Sequence, residues 1–297
     1  MKVAVILTGQ LRYIDWCWNW WESVAKESEH NIDFFSSTWP YDTSHDNNLT
    51  FNRTSGSTRG QYRFFIDDWF SDRAIGFITS DPAELQKYYK RHSELDEYLT
   101  PPKDSLGYSK VGAFRKFQYY FGRLHHLSKA INEFNLSRYD KIVHSRWDTL
   151  VRPGHFDSFL GKGWIFSGLQ NDPDELGNIS ELLHSNDLIY SGDATDFINI
   201  YKDTYSLMNF VCDRTVKLKN LEWVTGSKYI IGHYLYVNHL NDKCRVLHNV
   251  DIDTTLYRNY SLPFKYDFPT WKDCLYVYGV DVGHVRNRRV KKNKVLR

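Results

Sequence analysis

Apolar and polar positions fall in blocks along this chain, and the blocks predict strands and helices in turn. Lys2 to Thr8 is a β-branched and apolar run bounded by Gly9, the pattern of a strand buried on both faces. Gly9, Gln10, Leu11 and Arg12 read as a tight strand-to-helix connection, and Tyr13 to Lys26 as the helix that follows. Trp16, Trp20 and Trp21 fall near helical spacing there and are expected in the core. Ile32 to Thr38, closed by Trp39 and Pro40, is a second strand, and Ala74 to Thr79 is a third. Between them Tyr41 to Gly60 is polar enough for a long surface loop, and Gln61 to Phe70 is helix-like. Ser80, Asp81 and Pro82 signal the start of a helix running to Arg91.

The longest helical pattern runs from Ser109 to Phe134, where Phe114, Phe117, Phe121, Leu124, Leu127 and Ile131 form one apolar stripe. His125 and His126 are neighbours on it, so they point in different directions and cannot pair as metal ligands. They read as surface or core-edge residues. Lys141 to Ser145 is a short buried strand centred on Ile142 and Val143. Gly163 to Ser167 and Asn186 to Gly192 are further strands, separated by a polar loop from Gly168 to Leu183. Asp193 is placed to cap a helix through Ile200 and Tyr205, Glu222 to His239 is amphipathic, and Cys244 to Leu247 is a late strand. Alternating strands and helices predict an α/β fold with a mainly parallel, twisted sheet flanked by helices. With no repeat or linker, residues 1–285 read as a single domain and 286–297 as a basic C-terminal tail.

Composition changes this picture little. Aromatic residues make up 16% of the chain, which suits stacking on sugars or bases and suits an aromatic core equally well. A net charge of +2 excludes a general polyanion binder, so no nucleic-acid partner is expected. The tail reads RNRRVKKNKVLR, either a solvated terminus or a peripheral contact with an anionic membrane. Cys17, Cys212, Cys244 and Cys274 have no metal-type spacing and read as reduced thiols. The apolar start MKVAVILTGQ is too short for a signal peptide or a membrane span, so a cytoplasmic location is expected.

Candidate chemistry concentrates in YDKIVHSRWDTLV, Tyr139 to Val151. Arg146 and Asp148 leave the carboxyl end of the predicted strand, where open α/β sheets hold their ligands. Residues two apart on an extended chain share a face, so both can enter one crevice. An arginine forks onto phosphate oxygens and a carboxylate holds a bridging divalent cation, which points to a nucleotide diphosphate. The same pair also fits a strand-end salt bridge with Asp148 as a turn residue. Gly9 opens the first strand-to-helix loop, where a backbone without a side chain and a helix N-terminus favour an anion.

Taken together, KVAVILTGQLR, FFSSTW and YDKIVHSRWDTLV resemble a group of bacterial and viral glycosyltransferase-like proteins with the GT-A fold. The likeness runs in order over roughly residues 1 to 240. The group's first strand ends in a Gly-Gln-Xaa-Arg turn, here Gly9, Gln10 and Arg12. Its long helix bears a Ser and a Gln, here Ser109 and Gln118; its Asn-Asp-strand-Gly segment is here Asn186, Asp187 and Gly192. The resemblance implies a GT-A-like (Rossmann-like) fold and a nucleotide-sugar donor site formed by Thr8, Gly9, Gln10, Arg12, Ser109, Gln118, Arg146 and Asp148. The common Asp-Xaa-Asp metal motif is altered, because Arg146 stands in its first position. Either Asp148 binds Mn²⁺ or Mg²⁺ with diphosphate oxygens and water, the reading preferred here, or Arg146 supplies the positive charge without a metal.

The implied activity is transfer of a hexosyl or pentosyl group from a nucleotide-diphosphate sugar to a glycan or glycoconjugate acceptor. An inverting enzyme needs a carboxylate base, for which Asp187 is the first candidate and Glu222 the second. Asp187 also fits a turn at a strand start, and Glu222 a helix-start charge. The alternatives are a catalytically inactive carbohydrate-binding protein of the same fold, or another nucleotide-using transferase. The second of these lacks support from any G-x-x-x-x-G-K-[ST] loop.

Overall fold

The computed structural model of the protein describes residues 1–11, 14–42, 74–80, 122–147, 149–151, 154–168, 185–203, 243–247 and 254–256. Most of the expected loop from Tyr41 to Gly60, the helix at Gln61, the helix running to Arg91 and the first turns of the Ser109 helix lie outside the described residues. So do most of the loop from Gly168 to Leu183, the helix from Glu222 and the tail from Arg286.

The opening apolar run forms β1 (Lys2–Leu11), followed by α1 (Ile14–Glu27), β2 (Asn31–Asp42) and β3 (Gly76–Thr79). A helix over residues 122–133, here α2, leads through a 3-10 turn at Leu136–Arg138 into β4 (Lys141–Arg146). Next come β5 (Thr149–Val151), a 3-10 segment at Phe156–Leu160, β6 (Trp164–Gly168) and β7 (Ser185–Asp193). Then α3 (Ala194–Tyr201), β8 (Cys244–Leu247) and β9 (Thr254–Leu256) complete the described chain. No described helix is long and apolar enough to cross a membrane.

Among the described residues seven strands form one sheet in the order β3-β2-β1-β4-β7-β6-β8. β1 runs parallel to β2 and β4, β2 to β3, and β6 to β8. β7 is antiparallel to both of its neighbours, β4 and β6. The class is α/β with a mainly parallel sheet, as the alternation of elements predicts. The reversal of β7 is new, since a strand's residues do not encode its direction. β5 and β9 form a separate antiparallel pair, too short for periodicity to register.

β1 is buried on both faces, and its two residue sets meet different helices. Val3, Val5 and Leu7 join Cys17, Trp18, Trp20, Trp21 and Val24 of α1 in one apolar cluster with Val143, Trp147 and Phe156. Trp18 meets Phe34 edge-on at 5.1 Å, and Trp20 Nε1 donates to the Val151 carbonyl at 3.0 Å. On the opposite face α2 buries Leu124, Leu127, Ala130 and Ile131, and Phe35 of β2 lies 5.0 Å from the Phe134 ring. The chain thus leaves β1 over one face through α1 and enters β4 from the other through α2. That reversal opens a crevice beyond the carboxyl ends of β1 and β4.

Two strands run past their expected ends. β1 continues through Gly9 to Leu11, with an irregularity between Gly9 and Leu11, so the anticipated tight turn is partly strand. β2 includes Trp39 and Pro40. Its pairing with β3 stops at Thr38 opposite Thr79, and Pro40 falls in the irregular stretch toward Asp42, where no ladder bond needs its missing N–H.

The amino end of β4 is fastened by polar groups. Tyr139 Oη donates to Asp33 Oδ2 at 2.7 Å, and the Lys2 amide donates to Asp140 Oδ2 at 2.7 Å. Burial and the bond to Asp33 push the Tyr139 hydroxyl up to about 12. Buried Lys141 donates from Nζ to Asp193 Oδ1 at 3.1 Å and to the carbonyls of Gly161 and Gly163. Burial lowers its pKa, and the bond to Asp193 works against that shift. Asp193 does sit at the N-cap position of α3, but its side chain makes no capping bond there. Its carboxylate serves Lys141 and the Gly163 amide at 3.2 Å instead. Gly163 has φ +74, and a Cβ there would collide with the Lys243 carbonyl.

Lys141→Met keeps the aliphatic stem but leaves the Gly161 and Gly163 carbonyls without their donor. It is expected to cost roughly 3 kcal/mol in urea unfolding, the range for buried polar groups left unmade. Asp193→Asn, at a half-exposed carboxylate, should cost far less. Equal costs would show that the ion pair, rather than the carbonyl bonds, holds this corner.

Candidate functional site

The parallel register sets Thr8 of β1 opposite Arg146 of β4 at the mouth of the crevice. Arg146 is the last residue of β4 and half-buried. Trp147 follows it, fully buried in the α1-side cluster with its ring 6.2 Å from Trp18. This anchor fixes the strand end, and the Trp20 bond to Val151 fixes the chain where it resumes in β5. Gly9 has φ +100, and a Cβ at this position would meet nothing within 4 Å among the described residues. Glycine takes this conformation at little cost, whereas a side chain would be strained.

Behind this mouth lies a buried polar layer on the α2 face. Thr8 Oγ1 and His144 Nε2 are 2.7 Å apart. The other ring nitrogen of His144, Nδ1, lies 3.3 Å from Arg123 Nη2 of α2. A guanidinium only donates, so Nδ1 accepts and the ring proton sits on Nε2, which donates to Thr8. The chain Arg123–His144–Thr8 therefore ties α2, β4 and β1 together with a defined direction. Tyr190 of β7 packs its ring 4.8 Å from the imidazole.

A second histidine lies beside it. His126 Nδ1 meets Ser37 Oγ of β2 at 3.0 Å, while its Nε2 has no partner among the described residues. Trp39 closes over it edge-on at 4.3 Å and stacks on His125. Both His125 and His126 are buried, a correction to their reading as surface or core-edge residues. The indole of Trp39 and the serine of β2 turn that part of α2 inward.

Burial is the main reason that both rings stay neutral. It holds His144 well below 6.5, helped by the positive charges of Arg123 and Arg146 and by His126. It holds His126 below 6.5 as well, with smaller contributions from His125 and Lys129.

Of the residues singled out in the sequence, Thr8, Gly9 and Arg146 meet at the crevice, and Gln10 follows Gly9 on β1. Asp187 is among the opening residues of β7. Because β7 runs against β4 with Ile189 opposite Ser145, those residues lie beyond the carboxyl end of β4. Arg12, Ser109, Gln118, Asp148 and Glu222 lie outside the described residues. Among the described residues no group of three or more His, Cys, Asp or Glu could hold a metal ion. His144 and Arg123 were not singled out in the sequence. The available signal was a histidine inside the buried run IVHS, two residues before Arg146 and so on its face.

No protein-family model matches the chain, and no curated protein does either. Among solved structures, the galactosyltransferase LgtC in complex with donor and acceptor sugar analogs aligns over 91% of this chain and 92% of its own, with TM-score 0.40 and 12% identity. An active-site mutant of LgtC gives TM-score 0.41 at the same identity of 12% and the same coverage, 91% and 92%. The glycosyltransferase GlyE of Streptococcus pneumoniae TIGR4 aligns over 83% of this chain and 45% of its own, with TM-score 0.38 and 14% identity. These neighbours are glycosyltransferases; likeness at this level is no argument for a shared reaction.

The two neutral histidines make a pH prediction. Their native pKa values are lowered, so below pH 6.5 the unfolded chain binds protons that the native chain refuses. Their stabilising effect is fully present above that pH and is lost as the pH falls through it, by up to ~1.4 kcal/mol per unit for each ring. Urea midpoints measured downward from about pH 8 to about pH 5 should fall, and less steeply in His126→Gln. A midpoint that is flat across this window would contradict the buried, neutral state of both rings.

Proposed function

We propose that the protein is a GT-A-like glycosyltransferase that moves a sugar from a nucleotide-diphosphate donor to a glycan or glycoconjugate acceptor. The observation that supports this most is the pairing of Thr8, which precedes Gly9, with Arg146 at the switch point between β1 and β4. Gly9, which carries no side chain, lies on the chain leading from β1 to α1, and the half-buried Arg146 stands across from Thr8. That combination suits a doubly charged, fork-shaped phosphate ligand better than a neutral one.

In this reading Arg146 offsets the negative charge that grows on the departing nucleoside diphosphate. Thr8 and Gly9 belong to the phosphate side in this reading, and Gln10, Arg12, Ser109 and Gln118 are the further donor-site candidates offered by the sequence. Asp148 would hold a divalent cation, Mn²⁺ or Mg²⁺, whose hard-oxygen donors would be that carboxylate, diphosphate oxygens and water, and which would share the leaving-group charge. Asp187 is the first choice for the base that takes the acceptor hydroxyl proton and Glu222 the second. The basic run Arg286 to Arg297 would bring the enzyme to an anionic membrane surface bearing the acceptor. Residues 1–285 act as one domain.

Thermal unfolding with UDP-, GDP-, CMP- and dTDP-sugars, each with Mn²⁺ and with EDTA, tests the donor site. A donor at a hundredfold excess over its Kd stabilises the native state by about 2.7 kcal/mol and raises Tm accordingly. The expected result is a rise for one nucleotide class that requires Mn²⁺ and disappears in Asp148→Ala. A rise that persists in EDTA but fails in Arg146→Ala would replace the cation with an arginine clamp. No rise with any donor would leave a carbohydrate-binding protein without transferase activity.

A further inference from the structure

Arg146 is not the sole cation at the carboxyl end of β4. Arg123 reaches the same strand from α2, with Nη2 3.3 Å from His144 Nδ1. His144 precedes Arg146 by two residues on one face of β4, a separation of roughly 7 Å along the strand. The charges of both arginines bear on that imidazole.

The imidazole itself is anchored. Its Nε2–H is committed to Thr8 Oγ1 at 2.7 Å, so the ring cannot turn without losing that bond. Tyr190 braces its face. Nδ1 is therefore held toward α2 as an acceptor for Arg123. A guanidinium has five donors in a planar fork, and orienting one of them orients the rest.

We propose that Arg123, aimed by His144, is a second diphosphate-binding residue that grips the departing nucleoside diphosphate together with Arg146. This rests on the nucleotide-diphosphate reading above and adds a residue to it. His144 is a positioning residue in the arrangement, and Thr8 sets its orientation. The phosphate side of the site is then built from three elements, β1, β4 and α2, and the donor would lock α2 against the sheet.

The test compares nucleoside, monophosphate and diphosphate of the base selected in the donor panel, by calorimetric titration of the full chain. Arg123→Gln should lower the ratio of diphosphate to nucleoside affinity by roughly ten- to a hundredfold, the worth of a hydrogen bond to a charged group, with nucleoside affinity unchanged. His144→Asn, whose carboxamide oxygen can replace Nδ1 as acceptor, should keep most of the ratio, whereas His144→Leu should lower it about fivefold or more. If Arg123→Gln does not fold, His144→Leu carries the test, and an unchanged ratio there overturns the proposal. A loss in Arg123→Gln that is equal for nucleoside and diphosphate makes Arg123 structural and also overturns it. An unchanged ratio in Arg123→Gln beside a lowered one in Arg146→Gln removes Arg123 alone and leaves the donor reading standing. A wild-type chain that binds none of the diphosphates overturns both.

Discussion

The parallel ladder between β1 and β4 is the constraint on which the rest of the structure depends. Its register, from Val3 opposite Lys141 to Thr8 opposite Arg146, joins segments far apart in sequence. Both strands are buried almost throughout, so a slip of one residue would exchange the faces that meet α1 and α2. Val3, Val5 and Leu7 would leave the tryptophan cluster, and Ala4, Ile6 and Thr8 would enter it. Ala4 and Thr8 would leave a void and a hydroxyl parted from His144 among the tryptophans, which makes the register effectively unique. The same register determines which polar groups face each other at the carboxyl end.

The two cations of β4 show how position along one strand decides fate. Lys141, at the amino end, is enclosed by two glycine carbonyls and a carboxylate, and its donors are spent on the fold. Arg146, at the carboxyl end, stands half-buried where the chain direction reverses. A similar division holds for the motif that drew attention in the sequence. Tyr139 and Asp140 clasp β4 to the start of β1 and to Asp33, while Arg146 ends the strand opposite Thr8. A single contiguous motif thus combines residues that fasten the strand with the arginine that ends it.

Much of this was legible because it rests on local pattern. Continuous apolar runs marked β1, β4 and β8, and the 3.6-residue stripe marked α1 and the Leu124 to Ile131 face of α2. What escaped depends on contacts between distant segments. The direction of β7, the β5–β9 pair and the extensions of β1 and β2 are set by pairing partners. Asp193 was recognised by position as a cap, yet the buried ammonium of Lys141 competes for its carboxylate and wins, because an uncompensated buried charge costs more than an uncapped helix. His125 and His126 read as peripheral because polarity usually means exposure; Trp39 and Ser37, on another strand, make them core residues. At the site, Thr8, Gly9 and Arg146 could be read from strand ends, whereas Arg123 could not, since its role requires α2 to lie over β4.

The choice of a histidine between Thr8 and Arg123 has a physical logic. A carboxylate at position 144 would orient the guanidinium as well, but it would add a negative charge beside it. A neutral imidazole fixes direction without cancelling charge, since it accepts through Nδ1 and donates through Nε2. Its neutrality is enforced by the burial and by the arginines it serves. The cost is acid sensitivity, because protonating that ring would remove the acceptor and place a third positive charge beside two others. Tolerance of low pH is therefore given up at the same residue that keeps the cationic end of the sheet intact.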